Sequence, residues 1–255
     1  MACFLMRVNA GFNMMSEDDA RVVAKTLSAP ESPLADTEAS RFLPRFTVKD
    51  VTVHRKERAY KGCFAIDRYE MSYKRFDGQR TKVLVREIFE RDRNAVVMLP
   101  YDALTDEVMF IEQFRPGALS DPLSPWLVEV IAGMIDPGED PLQAAVRELE
   151  EEGHLKLRTQ DLIPIGYEYP SPGGVSERVN LYVASADLSH LDKHGGLESE
   201  SEDLRLFKSS AKEAFRQAES GRLCNAATLL CVQYLQIHHE SLRARCLKLR
   251  RLKPQ

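Results

Sequence analysis

Cysteine is scarce in this chain of 255 residues. The five that occur, at positions 3, 63, 224, 231 and 246, are odd in number and form no C-x-x-C pair. They offer neither a zinc site nor a disulfide framework, and they suit a reducing cytoplasm. An excess of basic charge is also missing: 35 Lys and Arg stand against 39 Asp and Glu, a net charge of −4. A nucleic-acid binder usually carries a basic field instead. No apolar run reaches the roughly 18 residues that a membrane helix needs. The opening stretch MACFLMRVNAGFNMM is too short and too broken for a signal peptide and reads as a loose tail before a start at Met14 or Met15. There is no internal repeat and no regular βαβ alternation, which argues against a doubly wound sheet. What remains is 44% hydrophobic and 29% charged, enough apolar material for a sizeable core in one or two domains.

Residues 1–45 hold SAPESPLADTEAS, rich in Ser, Pro and acids, and read as a flexible leader. From Phe46 to Arg93 apolar and polar residues alternate around a Phe-Asp-Gly-Gln turn at 76–79, the pattern of a small antiparallel β domain. The remainder, 94–255, mixes strands with helices. AVVMLPYD, EVMFIEQFR, WLVEVIAG, LIPIGYEYP, RVNLYVASADL and RLFKS read as strands. Helices are expected over LQAAVRELEEE, SAKEAFRQAESG and one long segment, NAATLLCVQYLQIHHESLRARCLKL. Cys224 and Cys231 fall on an apolar face of that last helix and Trp126 is expected to pack beneath WLVEV. His238 and His239 lie on adjacent helical faces, unsuited to chelation. The basic tail RARCLKLRRLKPQ reads as a solvated helix end.

One stretch does not fit a routine fold. After the loop MIDPGED, Pro141 opens a helix that carries Glu148, Glu150, Glu151 and Glu152 within five positions. Helical spacing puts Glu148, Glu151 and Glu152 on one face, with Glu150 pointing away. Like charges at that spacing repel, so they either lie in water or surround a cation. Converging carboxylate oxygens suit Mg²⁺ or Mn²⁺.

The spacing is specific. Gly133, Glu139 and then Arg147-Glu148-Leu149-x-Glu151-Glu152 match G-x5-E-x7-R-E-U-x-E-E-x-G-U, the Nudix box, except that His154 stands where the pattern has glycine, with Gly153 one place early. Longer stretches, VREIFER, IEQFRPGA, WLVEVIAGMIDPGE, SPGGVSER and HGGLESESEDLRL, resemble the bacterial ADP-ribose pyrophosphatases of that superfamily from about Phe46 to Leu242. The resemblance implies an α/β (α+β) fold: a Nudix α/β/α sandwich with a mixed sheet, preceded by the small β domain. It implies divalent-metal-dependent hydrolysis of ADP-ribose to AMP and ribose 5-phosphate. Other nucleoside diphosphate derivatives are the alternative, and a non-catalytic ADP-ribose-binding module is a further one, although such modules are expected to lose box carboxylates that are all present here.

The resemblance also assigns roles. Glu148, Glu151, Glu152 and the carbonyl of Ala132 are the expected metal ligands, with Mg²⁺ or Mn²⁺ as cofactor. Gly133, Glu139 and Arg147 are structural members of the box. Glu200 is the expected general base and Glu202 an additional ligand, the reverse assignment staying open, and Gly195 and Gly196 are expected to let their loop swing. Arg86, Arg115 and Glu177 are expected to contact substrate. The family pattern further implies a homodimer in which the N-terminal domain crosses to the partner, with no nucleic-acid or membrane partner.

Overall fold

The computed structural model describes residues 39–197 and 202–251. Most of the leader, and Glu200 in the acidic loop, lie outside the described residues. Contacts divide the chain into two units: residues up to 61 with 66–87, and residues 62–65 with 88–255.

The first unit is built on a three-stranded sheet in the order β1 (Val51–Lys61), β2 (Ala65–Tyr73), β3 (Leu84–Glu90). The β1 strand is exposed along nearly its whole length. Its sheet neighbour β2 buries Asp67 completely, and the cations Lys56 and Arg58 on β1 neutralise that carboxylate at 2.9 and 2.7 Å. Hydrogen bonds from Arg58 and Lys56 hold its pKa down at about 2. The expected turn is present, with Arg75 N–H donating to the Gln79 carbonyl and Gly78 at φ +84°.

The second unit is a mixed sheet covered on both faces. Strands β4 (Ala95–Asp102), β5 (Glu107–Phe114), β6 (Trp126–Glu129), β7 (Ile131–Met134), β8 (Leu162–Glu168), β9 (Val179–Ser185), β10 (His194–Gly195) and β11 (Leu204–Ser210) run in the order β10-β11-β5-β4-β9-β8. Off that path, β6 pairs with β5 and β7 pairs with β4. The β4–β9 pair is parallel and the other pairings are antiparallel. The fully buried β4 shows how one strand serves two layers. Val96 and Met98 pack with Ala144, Ala145 and Leu149 of helix α1 (Pro141–Glu151). Val97, Leu99 and Tyr101 pack with Ala214 of α2 (Ala211–Glu219), Val232 and Leu235 of α3 (Ala226–Ile237) and Leu242 of α4 (His239–Arg251). Each of the Val, Leu and Met side chains contributes about 1.5–3 kcal/mol by leaving water. This is the expected sandwich, with α1 on one face and α2–α4 on the other.

Several details depart from the sequence reading. WLVEVIAG is two strands, because the chain leaves β5 for β4 at Val130, whose N–H is taken by Thr228 Oγ1 at 3.1 Å. The long last helix breaks at His238 (φ −108°, ψ 21°). The break lets His239 reach Asp106 at 2.8 Å, and α4 folds back to place Arg250 on Asp102 and Asp187. The basic tail is therefore docked rather than solvated as far as Arg250. Cys231 is in the core, whereas Cys224 lies before α3 and is exposed. Trp126 is also largely exposed and stacks on Phe114, its cross-strand neighbour.

Candidate active site

The helix that carries the glutamates starts cleanly. Asp140 caps it by accepting from Leu142 N–H at 2.9 Å, and Pro141 fills the first turn, where no amide donor is needed. Leu149, Ala145 and Ala144 bury the opposite face, so the acidic face is fixed toward β7.

Arg147 organises the first half of this face. Its Nε and Nη2 grip the two carboxylate oxygens of Glu139, each at 3.1 Å, and Nη2 also donates to the Met134 carbonyl at 2.9 Å. Nη1 reaches Glu148 at 2.7 Å and Glu151 at 2.9 Å. A planar fork with five donors is what such a junction requires. The loop that starts at Met134 is thereby tied to the helix, and the Arg147 hydrogen bonds hold Glu139 below its ordinary pKa. Gly133 is a matter of space. A Cβ there would lie 1.8 Å from Glu148 Cδ, so the β7 backbone can approach that carboxylate only as glycine.

Glu148 and Glu152 are treated differently. Burial, with the fields of Glu151 and Glu202, pushes Glu148 up to about 7 despite Arg147. Glu152 is 4% exposed, and its carboxylate takes one hydrogen bond, from Ala132 N–H at 3.2 Å. Burial, with the fields of Glu202 and Glu148, raises it to about 8. Glu148 and Glu152 both feel the charge of Glu202, and Arg115 feels those of Glu152 and Glu202. Among the described residues, no three His, Cys, Asp or Glu side chains are set as a ready cation cage, and Glu148 and Glu151 close on Arg147 Nη1 instead. The donor set still fits a divalent metal: one buried and one partly buried carboxylate of raised pKa, further acids at Glu151 and Glu202, and a strand carbonyl at Ala132.

The acidic loop is anchored to the same place. Glu202 accepts from Leu197 N–H at 3.3 Å, and its own N–H donates to the Leu197 carbonyl at 3.2 Å. Gly195 is paired in β10, and a Cβ there would meet the Glu152 carbonyl oxygen at 2.0 Å. Glycine at this position lets the root of the loop lie directly against a residue of the site. Glu200 lies outside the described residues.

The end of α1 explains the glycine displaced in the sequence. His154 takes the left-handed conformation (φ 54°) in which that glycine is expected, and its N–H caps Glu150 at 3.1 Å. Its ring nitrogen Nδ1 meets Asp192 at 2.7 Å. Gly153 serves close packing, since a Cβ there would lie 2.4 Å from Ile131 Cδ1.

The remaining expected residues have partners of their own. Glu177 is buried and paired with Arg91 at 2.6 Å, and its charge is felt by Glu168. Arg86 belongs to the first unit, is exposed, and donates to the Val85 carbonyl at 2.8 Å. The sequence reading missed Glu129 and Arg91, the acid that holds Arg115 and the cation that holds Glu177. Glu129 carried a signal: an acid inside the apolar run WLVEV must find a partner once buried.

A model of the NUDIX domain matches residues 91–221, half of the chain and the whole of the α1 site. The chain belongs to the Nudix family. Among its Nudix relatives is an ADP-ribose pyrophosphatase of Escherichia coli, 39% identical over 199 residues that cover 78% of this chain and 93% of that one. An ADP-ribose pyrophosphatase of Haemophilus influenzae is 30% identical over 203 residues, 78% of this chain and 92% of that one. A GDP-mannose pyrophosphatase of Escherichia coli is 29% identical over 156 residues, 60% and 78% of the two chains. A crystal structure of an ADP compounds hydrolase superposes with a TM-score of 0.56 at 22% identity, over 75% of this chain and 97% of the other. That likeness is one of fold, and it agrees with the covered mixed sheet described above.

Proposed function

We propose that this Nudix chain hydrolyses the pyrophosphate bond of ADP-ribose, giving AMP and ribose 5-phosphate, with Mg²⁺ as cofactor and Mn²⁺ as a substitute. The observation that carries the reading is the mutual repulsion of the buried Glu152 and the partly buried Glu148, with Arg115 in the field of Glu152. Relatives named ADP-ribose pyrophosphatase, matched over more than nine-tenths of their length, direct the choice of substrate.

Glu148, Glu152, Glu151, Glu202 and the Ala132 carbonyl would hold the cation. A divalent ion bound there supplies positive charge to the diphosphate oxygens. The chain's own groups do the rest. Arg147 fixes Glu148 and the loop at Glu139. Arg115 offers a guanidinium to a phosphate oxygen, and Arg86 and Glu177 are further substrate contacts. A water oxygen adds to one phosphorus while the bridging P–O bond breaks. Glu200 takes the proton from that water, the exchange of roles with Glu202 being the other assignment. The leaving phosphate departs as the second product.

The exposed β1 edge supports a homodimer in which the first unit crosses to a partner copy. Light scattering should then give twice the chain mass of 29.0 kDa, and a species of 29.0 kDa alone would rule it out. No helix among the described residues is long and apolar enough to cross a membrane, and the site of action we infer is the cytoplasm.

The test is product analysis of ADP-ribose incubated with Mg²⁺ and wild-type protein or Glu152→Gln. AMP and ribose 5-phosphate from wild type alone is the expected result. No turnover by folded, Mg²⁺-loaded protein would sink the substrate reading. The GDP-mannose pyrophosphatase relative makes nucleotide sugars the second panel to try.

A further inference from the structure

Glu129 is 2% exposed at the end of β6, in a strand otherwise made of apolar residues. Its carboxylate is surrounded by donors. Arg115 Nη2 lies 2.6 Å from Oε2, and Arg115 Nε lies 3.0 and 3.2 Å from the two oxygens. Gln113 Nε2 reaches Oε2 at 3.3 Å and Asn225 Nδ2 reaches Oε1 at 3.1 Å. An ionised carboxylate accepts only, so it alone of the small polar side chains satisfies donors from three residues at once. The network continues: Asn225 caps α3 by accepting from Thr228 N–H at 2.9 Å, and Thr228 Oγ1 takes the Val130 N–H.

This arrangement grips one edge of the Arg115 guanidinium. Among the described residues Nη1 donates to no protein acceptor, and the side chain is still 42% exposed. Beyond Glu129, the Arg115 guanidinium also feels the charges of Glu152 and Glu202. Three residues beyond Glu129, Ala132 donates to Glu152. One short stretch of strand therefore fixes both the arginine and a carboxylate of the site.

We propose that Glu129 is a positioning residue for the hydrolytic reaction. It acts through Arg115, holding the guanidinium so that Nη1 meets a phosphate oxygen of a nucleoside diphosphate substrate, and Asn225 and Gln113 hold Glu129 in turn. The inference rests on the hydrolase reading above. It goes further by assigning to a side chain that contacts no substrate a share of substrate affinity.

A double-mutant cycle tests it. Glu129→Gln keeps the shape but turns amide hydrogens toward three donors, whereas Glu129→Asp keeps the charge. Steady-state kinetics with ADP-ribose and calorimetric binding of its α,β-methylene analogue are measured for wild type, Glu129→Gln, Glu129→Asp, Arg115→Ala and the double variant Arg115→Ala with Glu129→Gln. Circular dichroism and melting confirm that each is folded. The expected result is a KM for Glu129→Gln raised on the order of tenfold or more, as for lost charge-assisted hydrogen bonds. Analogue binding should weaken in parallel, and Glu129→Asp should recover part of both. In the Arg115→Ala background the Glu129 change should cost almost nothing more. Full additivity, or unchanged KM and analogue affinity in folded Glu129→Gln, would overturn the assignment. If wild type leaves ADP-ribose intact but cleaves a nucleotide sugar, the cycle is run on that substrate, and the substrate reading fails while the inference is still decided. A folded wild type that hydrolyses no nucleoside diphosphate derivative overturns both.

Discussion

Glu139 and Glu152 belong to one sequence motif, and the protein treats them in opposite ways. Glu139 remains partly exposed, with two Arg147 nitrogens on its two oxygens, and its pKa is held down. Glu152 is buried with a single backbone donor, beside two other acids, and its pKa is driven up to about 8. The first arrangement is closed: its charge is matched by a side chain already present, and it ties the loop at 134–139 to the helix. The second is open. A buried carboxylate that repels its acidic neighbours and has one backbone donor among the described residues is a cost that folding alone would not retain. A cation from solution would convert that cost into binding energy, as the proposed function requires. The contrast separates the residues that build the site from those that operate it.

The largest expected effect comes from forcing the two ends against each other. Gly133→Ala places a methyl group 1.8 Å from Glu148 Cδ, so the strand or the carboxylate must shift. A displacement of about 1 Å in a catalytic site costs on the order of 10²-fold in rate. We expect at least that loss in kcat/KM, with a lowered melting temperature, and near-wild-type kinetics in Gly133→Ala would show that the close approach is dispensable.

A second test uses pH. Glu148 and Glu152 have folded-state pKa values of about 7 and about 8, above the ordinary 4.5. The folded chain therefore binds more protons than the unfolded chain across this range. Their contribution is fully present below pH 4.5 and is lost as pH rises through 7 and 8. In chelator, the melting temperature should fall from pH 5.5 to 8.5, and Mg²⁺ should flatten that slope. A melting temperature that rises over the interval without metal would contradict the assignment of buried, uncompensated charge.

The smallest effect is at the end of α1. His154 holds a left-handed conformation that costs an L-residue about 1 kcal/mol or more. His154→Gly removes that strain and also removes the partly exposed Asp192 pair, worth about 0.2–1 kcal/mol. A rise in melting temperature of about 2 °C or less is expected, with activity unchanged. A large loss of activity would mean that the ring does more than cap a helix.

Much of this was legible from residue order. The spacing Gly133, Glu139, Arg147, Glu148, Glu152 identified the motif, and the short apolar runs AVVMLPYD and EVMFIEQF located the two central strands. What escaped depends on partners distant in sequence. Val130 marks a change of strand partner because Thr228, 98 residues away, takes its amide. The last helix breaks because His239 has Asp106 to reach. No local propensity encodes either event. Glu129 lay in between: its burial in an apolar strand announced a partner, but only the fold identified Arg115, 14 residues earlier. His154 shows the converse, a backbone conformation preserved although the residue best suited to it is absent.

The central claim is that the open end of the motif takes a divalent cation. The most direct measurement is calorimetric titration of the metal-free protein with Mg²⁺ at pH 7 in two buffers of different ionisation enthalpy. Wild type should bind with release of roughly one proton per site, because the raised carboxyls must ionise to serve as ligands. Glu152→Gln should lose most of the binding and of the proton release. Mg²⁺ binding with no dependence on buffer, or binding of equal strength in folded Glu152→Gln, would contradict the account.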